Sequence, residues 1–338
     1  MDIFVDTANL DEIRKALEWG VVDGITTNPS LVKKEVERLK AAGREADMES
    51  HINDILAAAG GDVPVNLEVT ATDADSMAGQ GKRLFHRFNP VAGNVVVKIP
   101  VNTYGGSGFE GLKAIRALDE AEIPVNATLV FTPEQALLAA KAGATYVSPF
   151  AGRVDDYIRT QAGVEFSKGD YFPAEGMEAE TEEGDEDMWD DNGILSGVDL
   201  VSKIADLFEK HELDCNLLAA SLRNTRQVRE VALAGADVGT VPFSVLQGMI
   251  RHPKTREGME KFTADVVPEY QKIVGGEQAA QQQPQQQAQG PSPQPSPRPS
   301  QPAQGVPQQP RPQQPQPGSG PQSQGRSAYD LMRDRQDQ

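Results

Sequence analysis

One lysine stands where this sequence should least tolerate it. Lys98 lies within Asn94–Pro100 (NVVVKIP), a run of β-branched residues that reads as a strand buried on both faces. Desolvation penalises the ammonium form of an amine. A neutral amine attacks a carbonyl and forms a Schiff base, which a hydrated surface ammonium rarely does. The alternative is a lysine whose stem follows the strand end and whose head reaches water. Other strand-like runs end in groups with chemistry of their own: Asp6, Thr27 with Asn28, Glu68, Asn126 with Thr128, Ser148 with Arg153 just beyond, and Ser221 with Arg223. Carboxylates move protons, and two guanidinium groups beside a hydroxyl suit a phosphate dianion. Any one of these is more often a solvated strand terminus. Only the eighth run, ending at Val241-Pro242, brings no evident polar group.

The elements that position these residues repeat one unit, a short apolar run followed by a helix-length amphipathic run. The strand-like runs are Ile3–Thr7, Gly24–Asn28, Val63–Thr70, Asn94–Pro100, Pro124–Phe131, Thr145–Phe150, Asn216–Ser221 and Val238–Pro242. Helical patterns include Leu10–Trp19, Asp75–Arg87, Gly108–Glu122, Pro133–Ala142, Gly197–Leu213 and Thr225–Leu233, with Pro29 and Pro133 where a first turn accepts proline. Eight such units within ~250 residues predict a single (β/α)8 TIM barrel, whose active sites lie at the C-terminal ends of the strands. An open doubly wound sheet is the rival, but no glycine-rich dinucleotide fingerprint follows the first strand.

Composition narrows the partners. The chain has 338 residues and a formal net charge of −18, the wrong sign for binding a nucleic-acid backbone. Its single cysteine, Cys215, leaves no intrachain disulfide and fits a reducing compartment. The four histidines lack metal-ligand spacing, so no metal is expected. No apolar run approaches the ~18–20 residues of a membrane span, and the N-terminus reads as a strand, so a cytoplasmic location is expected. Residues 1–274 are expected to form the barrel. Residues 275–326, rich in Gln and Pro, hold 13 of the 24 prolines and are expected to lack a packed core. Residues 327–338 form a short charged end with Tyr329, Leu331 and Met332 at helical spacing.

The motifs together resemble the transaldolase family, which is similar in turn to the small fructose-6-phosphate aldolases. The likeness covers residues 1 to about 274 and is carried by Phe4–Asn9 (FVDTAN), Gly24–Ser30 (GITTNPS), Val96–Pro100 (VVKIP), Asn126–Thr128 (NAT), Val147–Arg153 (VSPFAGR) and Leu218–Arg223 (LAASLR). It implies transfer of a dihydroxyacetone unit between sugar phosphates through a lysine Schiff base, with no metal or organic cofactor. By matching position, Lys98 is the Schiff-base nucleophile and Asp6 moves the proton of the donor's C4 hydroxyl. Glu68 and Thr128 share a proton-shuttling water. Asn28, Asn126 and Ser148 hold the three-carbon unit, and Arg153, Ser221 and Arg223 hold the phosphate. Fructose-6-phosphate aldolases carry Gln where this chain has Glu68 and Tyr where it has Phe150; Phe150 removes a phenol that could position water on the intermediate. The resemblance therefore favours a transaldolase over a free aldolase, and the intact set of Asp6, Glu68, Lys98 and Thr128 speaks against a non-catalytic scaffold acting through its tail. Compact family members resemble ring-forming oligomers, so a homo-oligomer is expected.

Two features depart from that pattern. A long loop is expected after the sixth strand, from Val154 to Gly193, carrying an acid-rich insertion (Asp170–Asp191) without Lys or Arg. It reads as a solvated excursion, with a flap over the site as the alternative. The acidic excess would also fit adaptation to high salt, which the Gln/Pro tail does nothing to support. The tail's PxxP pairs (Pro299–Pro302, Pro307–Pro310, Pro312–Pro315) suit a proline-reading protein partner, although such pairs arise in any Pro-rich linker.

Overall fold

Eight strands, one per repeat unit, close into a barrel in sequence order with every neighbouring pair parallel. The structure is a computed structural model that describes residues 1–103, 108–172 and 193–274. The strands are β1 (Asp2–Asp6), β2 (Gly24–Thr26), β3 (Val65–Glu68), β4 (Val95–Pro100), β5 (Val125–Val130), β6 (Tyr146–Pro149), β7 (Asn216–Ala219) and β8 (Val238–Pro242). Seven lie within the runs expected for them, at full length or up to four residues shorter, while β1 is displaced by one residue, starting at Asp2 and ending at Asp6. Helix α1 (Leu10–Glu18) follows β1; α2 (Pro29–Ala41) and α3 (Met48–Ala59) follow β2. Then come α4 (Ala74–Ala92), α5 (Glu110–Asp119) and α6 (Pro133–Lys141), each after its strand. Both α7 (Ala151–Gln161) and α8 (Gly197–Lys210) follow β6, and α9 (Thr225–Leu233) follows β7. After β8 come α10 (Phe243–Met249) and α11 (Pro253–Ala264). The barrel unit spans Met1–Val266, and α12 (Pro268–Val274) lies beyond it.

The alternation of strand side chains separates two interiors. Outward-facing Val5, Ile25, Val65, Val97, Val125, Val147, Leu217 and Val241 are fully buried, one from each strand, in the shell between sheet and helices. Burying such apolar surface is the main force holding the helices to the barrel. Residues one step along point into the lumen. Its apolar part is Phe4, Leu218, Ala220 and Val238, with Tyr146 and Phe150 packed against them. Phe4 lies against β2 only because residue 24 is glycine: a Cβ there would stand 2.4 Å from the ring.

The rest of the lumen is polar, and two hydrogen bonds prove the side chains point inward because each passes over an intervening strand. Thr26 of β2 meets Thr240 of β8 at 2.5 Å, above β1. Asn126 of β5 donates to Asn66 of β3 at 2.8 Å, above β4. The eighth strand therefore does bring a polar group, Thr240, which the strand-end reading passed over because it lies two residues before Pro242.

Side-chain caps fix the helix starts nearest the barrel mouth. Asn9 caps α1, Asn28 caps α2, Thr132 caps α6, Ser196 caps α8 and Asn224 caps α9, each accepting from backbone N–H groups of the first turn. Helix α7, by contrast, has Phe150 at its N-cap position and no side-chain cap. It also corrects the long loop expected from Val154 onward, since the chain stays helical as far as Gln161. Phe172, expected at the start of a solvated insertion, is instead 2% exposed. The remainder of the insertion from 173 to 191 and the tail from 275 lie outside the described residues. Among the described residues no helix is long and apolar enough to cross a membrane.

Candidate active site

Strands β3, β4 and β5 bring the reactive groups to one level. Glu68, Lys98 and Asn126 are register partners on three consecutive strands. Lys98 is 8% exposed, and its Nζ lies 3.3 Å from Glu68 Oε2. The Phe150 ring centroid is 5.8 Å from the same nitrogen. This lysine does not snorkel to bulk water. It faces a carboxylate and an aromatic wall inside the lumen.

Asp6 ends β1 on the lumen side. Thr26 Oγ1 donates to its Oδ1 at 2.8 Å, and with that proton committed Thr240 is the donor in the Thr240–Thr26 bond. Asp6 keeps a small exposed edge at the mouth. Even so, the protein packed round its carboxyl raises its pKa, an effect tempered by the Thr26 hydroxyl and by Lys98. A carboxylate with a raised pKa holds an abstracted proton better than an ordinary one.

Thr128 is fully buried next to Lys98's level, as the partner of Pro100 across the β4–β5 ladder. Its hydroxyl has no hydrogen-bond partner among the described residues. A buried hydroxyl is normally satisfied, so this one is suited to a bound oxygen. The β5–β6 register shifts between Ala127 and Val130, and Leu129 adopts a left-handed φ of 58° there, a bulge that sets the direction of Thr128.

A second network fixes the lumen behind these groups. Ser148 Oγ donates to Asn126 Oδ1 (2.7 Å), Asn126 Nδ2 to Asn66 Oδ1 (2.8 Å), and Asn66 Nδ2 to the Ile25 carbonyl (3.2 Å). Asn126 and Ser148 thus spend part of their capacity on each other. Asn28 likewise spends its side-chain oxygen on the N–H of Leu31 as the α2 cap, and Thr27 donates to the Asn66 carbonyl at 2.7 Å. Asn66, Thr26 and Thr240 were missed in the sequence, although each lies at an even spacing from Glu68, Asn28 or Pro242 and so shares its face.

Arg153, Ser221 and Arg223 gather on the β6–β7 side. Arg153 stands in the first turn of α7, its guanidinium 5.1 Å from the Phe150 centroid. Ser221 follows β7 with a left-handed φ of 63°. Gly152 makes this corner feasible: a Cβ on it would lie 2.3 Å from the Ser221 carbonyl oxygen and 2.9 Å from Arg223 Nε. An uncapped helix start beside two arginines is chemically suited to an anion. Across the barrel, a groove of about 400 Å³ reaches Asn28 and Glu68 from between α2, α3 and α4.

Fold and site together define a (β/α)8 barrel that gathers a buried lysine and carboxylates at the C-terminal ends of its strands. Comparison with known proteins names the family within that class. The family described as transaldolase/fructose-6-phosphate aldolase matches residues 3–288. A probable transaldolase of Chlorobium chlorochromatii is 42% identical over 265 residues, 78% of this chain and 97% of the relative. Probable transaldolases of Aquifex aeolicus and a Roseiflexus species are 40% and 41% identical over the same length, each covering 96% of the relative. The chain belongs to the transaldolase/fructose-6-phosphate aldolase family.

Proposed function

We propose that this enzyme is a transaldolase that moves a dihydroxyacetone unit from a ketose phosphate, sedoheptulose 7-phosphate or fructose 6-phosphate, to an aldose phosphate. The observation that carries the reading is the Lys98–Glu68 pair at 3.3 Å inside the lumen, with Phe150 as the third wall. Lys98 attacks the donor's C2 carbonyl. Glu68 and Thr128, through a shared water, carry the proton that lets the carbinolamine lose its hydroxyl, a positioned transfer worth ~10²–10⁴-fold. Asp6 takes the C4 hydroxyl proton as the C3–C4 bond breaks and the aldose leaves. The remaining three-carbon nucleophile stays on Lys98 until an acceptor aldehyde arrives. Asp6 then returns its proton, and water releases the new ketose from Lys98. Asn28, Asn126 and Ser148 hold the bound unit through their uncommitted hydrogen-bonding capacity, while Arg153, Ser221 and Arg223 take the phosphate.

The same reading puts forward a role in the non-oxidative pentose phosphate pathway, a cytoplasmic location and no cofactor. The exposed Met259 and Phe262 of α11 suit burial in a homo-oligomer. The domain division is proposed as a catalytic barrel to residue 274 followed by a Gln/Pro-rich tail. The free-aldolase alternative is disfavoured by Glu68 and Phe150. Product analysis with fructose 6-phosphate tests the reading: sedoheptulose 7-phosphate should form only when erythrose 4-phosphate is present. Free dihydroxyacetone released at a comparable rate without acceptor would replace the transaldolase reading with the aldolase one.

A further inference from the structure

One carboxylate beside the proposed phosphate site has no part in the chemistry above. Asp156, on α7, accepts through Oδ1 from Arg223 Nη1 at 2.5 Å and from Arg159 Nη2 at 3.1 Å. The two arginines are held very differently. Arg159 is 3% exposed and closely surrounded. Its Nε donates to the Asp155 carbonyl (3.2 Å) and its Nη1 to the Asp170 carbonyl (3.4 Å), and its guanidinium lies 3.9 Å from the Phe166 centroid and 5.6 Å from that of Phe172. Arg223 is anchored at its backbone, whose N–H donates to Gln227 Oε1 at 2.9 Å, and its side chain passes over the bare α-carbon of Gly152.

We infer that Asp156 is a positioning residue that transmits the fixed orientation of buried Arg159 to Arg223 and so aims Arg223 at the substrate phosphate. The inference rests on the phosphate site proposed above. An arginine side chain loses rotamer entropy when it binds an anion, unless its fork is already oriented. Asp156 consumes one Nη1 proton and leaves Nε and Nη2 to face an anion. Its charge works the other way, repelling phosphate, but it is shared between two guanidinium groups and the trio keeps a net positive charge. If orientation outweighs repulsion, removing Asp156 weakens phosphate recognition; if repulsion outweighs orientation, removing it strengthens recognition.

The test uses the full chain with Asp156→Ala and Asp156→Asn. Each is assayed with saturating fructose 6-phosphate and with either erythrose 4-phosphate or erythrose as acceptor. Asp156→Ala should raise KM for erythrose 4-phosphate about tenfold, the scale of one lost charge-assisted contact. kcat and KM for erythrose should barely change. Asp156→Asn, which retains an acceptor oxygen, should fall between Asp156→Ala and wild type. Equal losses with both acceptors would mark a purely structural role, and a lower KM for erythrose 4-phosphate in both variants would show that repulsion dominates; either overturns the inference. If wild type itself fails to prefer erythrose 4-phosphate over erythrose, the phosphate site is misplaced and the inference falls with it.

Discussion

Glu68 Oε2 and Lys98 Nζ stand 3.3 Å apart as register partners on adjacent strands, so the ladder itself, rather than a mobile loop, sets the carboxylate against the amine. Glu68→Gln preserves shape and an acceptor oxygen but removes the proton-transfer group. We expect kcat to fall about 10²-fold or more, on the scale of one general acid–base residue, with the melting temperature little affected. Steady-state kinetics beside a thermal melt check this. A kcat within twofold of wild type would remove Glu68 from the proton relay.

Asp6 gives the pH dependence a definite sign. In the proposed mechanism it must be ionised to accept the C4 hydroxyl proton, and burial holds its pKa above the ordinary 3.8. Activity should therefore decline as pH falls through that raised value, with an acid limb above the usual aspartate range. Asp6→Asn should lose most activity and leave the residual rate without that limb. An acid limb identical in wild type and Asp6→Asn would assign it to another group.

Asp155 makes a stability prediction independent of turnover. Its carboxylate accepts from Gly197 N and Gln227 Nε2, both at 2.7 Å, tying α7 to α8 and α9. Burial raises its pKa to about 6, opposed by the Gly197 N–H bond and by Arg159 and Arg223. A carboxyl whose folded pKa exceeds its unfolded value binds more protons when folded, so its contribution is most favourable below about pH 4 and is lost as pH rises to 6. The loss is on the order of 2–3 kcal/mol. Asp155→Asn cannot titrate, so its stability gap from wild type should narrow between pH 4 and pH 7. Denaturant melts at both pH values give the gap, and a constant gap would contradict the account.

Gly152 is a purely steric prediction. With a Cβ 2.3 Å from the Ser221 carbonyl oxygen, Gly152→Ala must displace backbone at the β7 end. Overpacking of this kind costs about 1–3 kcal/mol. It should also raise KM for phosphorylated substrates, because Ser221 and Arg223 move with it. Normal stability and KM in Gly152→Ala would mean the corner is looser than the contacts indicate.

Much of this site was legible as strand ends, for a physical reason. In a parallel barrel each strand is an apolar run, so a lone polar residue at its end marks both the strand's limit and the face the site occupies. That logic found Asp6, Glu68, Lys98 and Thr128. It missed Asn66, Thr26 and Thr240, which lie deeper in the same face and carry no chemistry visible in isolation. They matter only because the barrel closes and lets β2 meet β8, or β3 meet β5, across a strand. Asp156 was hidden differently. In sequence it belonged to an expected loop, and only the helicity of α7 sets it between Arg159 and Arg223. Phe172 shows the same limit, since an acid-rich neighbourhood concealed its burial against Arg159.

The most direct measurement is borohydride reduction of the enzyme mixed with fructose 6-phosphate, followed by peptide mapping. The account predicts a reduced three-carbon adduct on Lys98 and on no other lysine, lost in Lys98→Arg. An adduct on a different lysine, or none at Lys98 while transfer activity persists, would contradict it.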